Sequence, residues 1–126
     1  MASFERLDSG LLVHRVGGCD VPNLRLKDRE LELDPPGISV FAADTPEFVA
    51  QRIREEFPCA TRLIEASRVI ASATIQAIRG AGFDVISDPT RRFENHARLI
   101  HPRGAAGFSE ENLAILASSW YVTAEE

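Results

Sequence analysis

The stretch Gly37-Ile38-Ser39-Val40-Phe41-Ala42-Ala43-Asp44-Thr45-Pro46-Glu47-Phe48-Val49-Ala50-Gln51-Arg52-Ile53 changes its hydrophobic rhythm halfway, and that change decides the fold class. Residues 38–42 form a short apolar run behind Pro35-Pro36-Gly37, which reads as a buried strand. Thr45 can then cap a helix, and Pro46 suits the first helical position, where its missing N–H is no loss. Phe48, Val49, Ile53 and Phe57 recur on one helical face with Arg52, Arg54 and Glu55 outside, until Pro58 closes the segment. A strand that hands directly to a capped helix predicts an α+β domain.

The flanking sequence extends the pattern. Residues 10–16 are compact and apolar at Leu11, Leu12, Val13 and Val16, which predicts a first strand. Gly17, Gly18, Asp20 and Pro22 break it. Residues 23–34 place Leu24, Leu26, Leu31 and Leu33 among Arg and Glu, which reads as an edge strand or hairpin turning near Lys27-Asp28. Residues 59–71 fit a short helix as well as a strand. Ser72 is the expected cap of a second helix carrying Ile75 and Ile78, ended by Gly80. Residues 83–87 and 96–101 read as strands on either side of a basic loop, 90–95. After a turn at 102–107, Ser109 is expected to cap a last helix. Glu110 and Glu111 suit its first turn, and Leu113, Leu116, Ala117 and Trp120 follow at helical spacing. The expectation is a single compact α+β domain over residues 1–126, with residues 1–9 and 122–126 as loose ends. It has an antiparallel or mixed sheet of about four to six strands, with about three helices packed on it.

Composition narrows the function classes. The chain has 126 residues, 44% hydrophobic and 26% charged, with 14 basic and 19 acidic side chains for a net charge of −5. It is too apolar for disorder and, with two cysteines, too poor in them for a disulfide scaffold. The net charge argues against general DNA coating. No apolar run approaches the roughly 20 residues that span a bilayer. Residues 1–6 lack the regions of a signal peptide, so a cytoplasmic location without membrane attachment is expected. Lys27 is the only lysine, which leaves arginine to supply nearly all positive charge. Arginine offers a flat fork suited to carboxylates and phosphates.

No phosphate-binding glycine loop and no paired-cysteine zinc spacing occur. His14, Cys19, Cys59, His96 and His101 carry ligand chemistry, but their spacing requires no metal, and no metal or other cofactor is expected. The charge map is more informative. Residues 91–103 hold Arg91, Arg92, Arg98 and Arg103 against Glu94 alone, with His96 and His101 among them. On a strand His96 and Arg98 share one face while Ala97 and Leu99 take the other. Such a segment can grip a phosphate or carboxylate. Asp84, Asp88, Glu110 and Glu111 are the acids available to neutralise it instead.

Three resemblances bear on function. Gly37-Ile38-Ser39-Val40, Ala81-Gly82-Phe83-Asp84-Val85-Ile86-Ser87-Asp88-Pro89-Thr90 and Asn95-His96-Ala97-Arg98-Leu99-Ile100 resemble, in order and spacing, a group of short bacterial proteins to which no activity attaches. That group occurs around mobile elements and conflict or defence loci. The resemblance implies a partner-dependent role, of accessory or immunity type, with functional residues in 88–101. The opening strand with His14 and Arg15, together with the strand–T-P-E–helix unit, is similar to ADP-ribosyltransferase-like domains. That likeness implies His14, Ser39 and Glu94 as site residues and NAD as the ligand. Arg91 and His96 match the Arg-x-x-x-x-His pattern of the helical HEPN ribonucleases, which implies RNA cleavage by that pair on a helix. The reading that follows leans away from an enzyme. It is a small intracellular interaction module that recognises an acidic or phosphate-bearing partner, most naturally a protein, through Arg91, Arg92, His96, Arg98, His101 and Arg103. Nothing in the sequence fixes an oligomeric state.

Overall fold

The computed structural model describes residues 12–16, 24–43, 46–57, 59, 69–91 and 93–124, with the backbone alone at 46, 69 and 121–124. Among the described residues there are six strands: β1 (Leu12–Val16), β2 (Gly37–Ala43), β3 (Val69–Thr74), β4 (Asp84–Ser87), β5 (His96–Ile100) and β6 (Tyr121–Ala124). The helices are α1 (Asp28–Leu31), α2 (Pro46–Glu56), α3 (Ile75–Gly80) and α4 (Glu110–Ala117), with a 3-10 turn at Gly104–Gly107. The strands form one sheet in the order β4-β5-β2-β1-β3-β6, and every neighbouring pair is antiparallel. The chain crosses β1 through α2, then runs through α3 to the far edge. There β4 and β5 make a hairpin, and α4 leads back to the opposite edge as β6. The α+β class holds, with an entirely antiparallel sheet.

Side chains alternate across each strand and so divide between two faces. The first face carries Val13, Ile38, Val40, Ala42, Ala73, Val85, Ala97 and Leu99. It is closed by Ile75 and Ile78 of α3 and by Leu113 and Leu116 of α4. On the second face Ala43 and Ile70 meet Val49, Ala50 and Ile53 of α2, and Phe93 joins them. The described residues therefore form three layers, and among them α2 is the helix packed on the second side of the sheet.

Four local expectations are corrected. Residues 28–31 are one helical turn, not an edge strand. The five-residue step from Leu26 to Leu31 breaks the period of two, and Glu30 folds back to accept the Lys27 N–H at 2.9 Å. The same carboxylate accepts the Ser39 N–H at 3.2 Å, while an Arg15 guanidinium N–H donates to the Ser39 carbonyl at 3.3 Å. These side chains serve a stretch of β2 that extends past the β1 ladder, as buried backbone groups require. Ser72 lies within β3 and caps nothing; Thr74 caps α3 instead, accepting the Ala77 N–H at 3.0 Å. Helix α4 stops at Ala117, before Trp120, and residues 121–124 are an edge strand on β3, not a loose tail. Phe48, expected on the buried side of α2, is 49% exposed. It sits about 140° around the helix from Ile53. The Ser109 cap is present, its hydroxyl accepting the Asn112 N–H at 3.2 Å. Residues 1–9, Thr45 and most of 59–71 lie outside the described residues.

Candidate functional site

The β4–β5 hairpin carries the segment singled out by charge, and its loop is anchored at both ends. Asp88 donates its N–H to the His96 carbonyl at 3.0 Å, which continues the ladder beyond β4. The Thr90 N–H donates to the Phe93 carbonyl at 2.9 Å, and the Phe93 N–H returns to Thr90 Oγ1 at 3.0 Å. The Phe93 ring is 9% exposed, lying 5.1 Å from the Phe41 ring and 5.9 Å from Phe57. A buried aromatic plug and a reciprocal pair of hydrogen bonds thus hold a tight turn, with Arg91 exposed on it.

Behind the turn lies a polar cluster. His96 Nδ1–H donates to the Asp88 carbonyl at 2.8 Å, and the Asp88 carboxylate is 3.6 Å from the same nitrogen. This fixes the ring, which stands edge-on to Phe41 at 5.6 Å. Arg98 donates to Asp88 Oδ2 at 3.0 Å and to the Pro35 carbonyl at 3.0 Å. Its stem crosses Gly37 so closely that a Cβ there would stand 2.5 Å from Arg98 Cγ. Arg98 is 5% exposed and its charge is matched by Asp88, so it is a structural clasp between strand, loop and the Pro35 carbonyl.

Of the six residues expected to form one binding surface, the five that are described separate. His96 and Arg98 do share a face, as alternation requires. Arg98, however, is buried, and His96 is half-buried. His101 lies beyond the far end of β5, roughly 15 Å of strand away, against Phe83 at 4.9 Å. Gly107 lies against the same imidazole so tightly that no Cβ fits. Burial holds the His101 pKa below the ordinary value, and the Arg103 charge adds to that. Arg103 is exposed at that same end, and Arg92 lies outside the described residues. Among the described residues, the contiguous positive segment becomes an exposed Arg91 on the turn and a distant exposed Arg103.

The residues implied by the ADP-ribosyltransferase likeness do not meet in a common cleft among the described residues. His14 is fully buried on central strand β1. Its Nε2–H donates to the Ala43 carbonyl at 2.9 Å, and Nδ1 accepts from the Ser72 hydroxyl at 2.8 Å, which uses both ring nitrogens internally. Desolvation lowers the His14 pKa, opposed by the Ala43 bond and the Glu47 charge, so the neutral form is the one built in. Ser39 is exposed on β2, and Glu94 is exposed on the hairpin loop. The pair implied by the HEPN likeness is not helical: Arg91 stands in a bend and His96 begins β5. Cys59 is exposed, and Cys19 lies outside the described residues.

A cavity of about 400 Å³ opens between α2 and the hairpin loop, lined by Phe48, Arg52, Glu94 and Asn95. Arg52 lies four residues after Phe48 on one helical face and donates to Glu55 at 3.1 Å and to Glu56 at 3.2 Å. The side-chain nitrogen of Asn95 is buried with no hydrogen-bond partner among the described residues. Glu94 and Asn95 fall in the segment 88–101 where the likeness to the short bacterial proteins implied functional residues, whereas Phe48 and Arg52 were not read as site residues. The signal available was Phe48, at the margin of the apolar stripe of α2. Among the described residues, no helix is long and apolar enough to cross a membrane. No protein-family profile, no curated protein and no solved structure matches the chain.

Proposed function

We propose that the protein is a small interaction module that recognises an acidic partner protein through the turn at residues 90–93. The observation that carries this reading is the contrast within that turn. Phe93 and Thr90 lock it to the core, while Arg91 is held out to solvent. An arginine on a rigid mount forfeits little conformational entropy on binding and keeps its fork oriented for a carboxylate or phosphate. Arg92 adjoins it in sequence and reinforces the positive charge. Arg98 supports the turn from below through Asp88 and makes no contact with the partner. The accessory or immunity-type role implied by the likeness to the short bacterial proteins is the setting we propose for that partner.

The test is site-directed photocrosslinking in the native cell, with the reactive residue at the exposed position 94, beside an intact Arg91, and, separately, at position 103. We expect a cross-linked protein from 94 that is absent from 103. It should be lost when Arg92 is reversed to Glu and when the salt concentration is raised, since such contacts are screened. The same products from both positions, or products indifferent to charge reversal and salt, would overturn the reading.

A further inference from the structure

Strand alternation carries His101, just past β5, to the face of Ala97 and Leu99, at the rim of the first core cluster. Extending the β4–β5 register by one step sets it opposite Phe83, and the two rings meet edge to face at 4.9 Å. The chain then folds back over the imidazole. The Arg103 N–H donates to His101 Nδ1 at 3.1 Å, and the Gly104 N–H donates to the His101 carbonyl at 2.9 Å. Gly104 turns the chain at φ +63°, a left-handed conformation open to glycine. Gly107 comes to lie against the Nδ1 edge of the ring, where no Cβ would fit. Its carbonyl accepts from the Asn112 side chain of α4 at 2.9 Å, and the neighbouring Phe108 ring stands 5.3 Å from Phe83. One imidazole therefore fastens a turn that is also tied to α4 and to the core.

We propose that His101 is a pH-sensitive latch, which holds the turn at residues 102–108 closed when neutral and releases it when protonated. A ring nitrogen that accepts a backbone N–H must carry a lone pair, so the closed turn requires the tautomer with its proton on Nε2. A proton added at Nδ1 sets two donors against each other. Gly107 covers that edge, so the new N–H gains an acceptor only if the turn moves away. The surroundings supply no compensating charge. Gly82 and Phe83 before β4, and Gly107 and Phe108 in the turn, are uncharged, while Arg103 adds a positive charge. Alternation turns Asp84 to the other face, where Arg79 holds it at 3.0 Å, and Glu110 at the start of α4 is paired with Arg25. Burial first, and the Arg103 charge second, place the pKa of the closed form below the ordinary 6.5. The open turn therefore takes up the proton first, and opening becomes more favourable as pH falls through about 6.5. Opening frees the Gly107 carbonyl from Asn112 and uncovers Phe108 beside Phe83.

Nuclear magnetic resonance of the intact, isotope-labelled protein from pH 7.5 to 4.5 tests this. At pH 7.5 the imidazole nitrogen shifts should report the Nε2–H tautomer at His101, and the Gly107 α-protons should show contacts with the His101 side chain. Below the His101 midpoint those contacts should weaken at least fivefold, and the amide signals of Arg103, Gly104 and Phe108 should move with that same midpoint. His101→Asn places a non-titrating amide oxygen where Nδ1 stands, so the same three amides should then hold their positions across the range. An Nδ1–H tautomer at pH 7.5, or Gly107 contacts undiminished once His101 is fully protonated, would overturn the proposal. So would amide shifts that persist in His101→Asn, since another group would then be moving the turn.

Discussion

The two faces of the sheet are built on opposite principles. The face under α3 and α4 is dry: Val13, Ile38, Val40, Val85, Ala97 and Leu99 meet Leu113 and Leu116, and all of them are sealed from solvent. The face under α2 is polar at its centre. There His14 bonds to Ser72 and Ala43; nearer the β4 edge Asp88 joins His96 to Arg98, and among the described residues α2 and Phe93 pack against this face. The first face obtains stability from area removed from water. The second spends buried polar groups, each of which must be satisfied, and in return it fixes loops and carries the cavity. Apolar sealing and polar clustering are thus divided between the two sides of one sheet.

The largest expected effect lies on the dry face. Leu99→Ala should cost about 2–5 kcal/mol in denaturant unfolding, since the lost methyl groups leave a cavity between two layers. A cost below about 1 kcal/mol would mean that this face is not the main source of stability. Next comes the clasp. Asp88→Asn removes the carboxylate charge 3.0 Å from the 5% exposed Arg98 and should cost about 3 kcal/mol. Arg98→Met, which keeps the stem over Gly37, should cost less, and the double variant should recover part of the Asp88→Asn loss. Strict additivity of the two would show that the pair is not coupled.

The same contrast explains what could be read in the sequence. Elements with a clean period were visible. Strand β2, helix α2 and the Ser109 cap of α4 follow from local chemistry alone, and so does the division of Ala97 and Leu99 from His96 and Arg98. Helix α1 was not visible, because its stability comes from Glu30 reaching Ser39 nine residues away. Strand β6 was not visible because four residues pair with β3 only through the returning chain. The basic segment 91–103 was correctly located as rich in charge and wrongly read as one surface. A strand of five residues carries its two ends apart, and a tertiary contact with Asp88 removed Arg98 from solvent. The polar contacts of the second face depend on long-range pairing that no local period encodes.

A smaller effect separates the faces by pH. The folded pKa of His14 lies below its ordinary 6.5, chiefly through desolvation, and that of His101 is shifted the same way. The unfolded chain therefore takes up protons first as pH falls through about 6.5, and stability declines there. The slope for one such group is at most about 1.4 kcal/mol per pH unit. Unfolding midpoints measured from pH 7.5 to 5.5 should fall. His14→Gln should flatten the curve while costing about 1–3 kcal/mol at neutral pH, since Ser72 and Ala43 lose partners. His101→Gln should leave most of the slope in place. A wild-type curve already flat across that range would remove His14 as the pH-sensitive group of the second face.

The smallest effect is the most telling for the turn. Arg91→Ala should leave unfolding within about 0.5 kcal/mol, because the side chain is exposed. Thr90→Ala, its neighbour on the same turn, should cost about 1 kcal/mol, because its hydroxyl accepts the Phe93 N–H. The two substitutions touch adjacent positions that are both exposed, so a difference between them reports the division between holding the turn and being presented by it. If Arg91→Ala proved as costly as Thr90→Ala, the arginine would belong to the fold, and its availability to a partner would lose its basis.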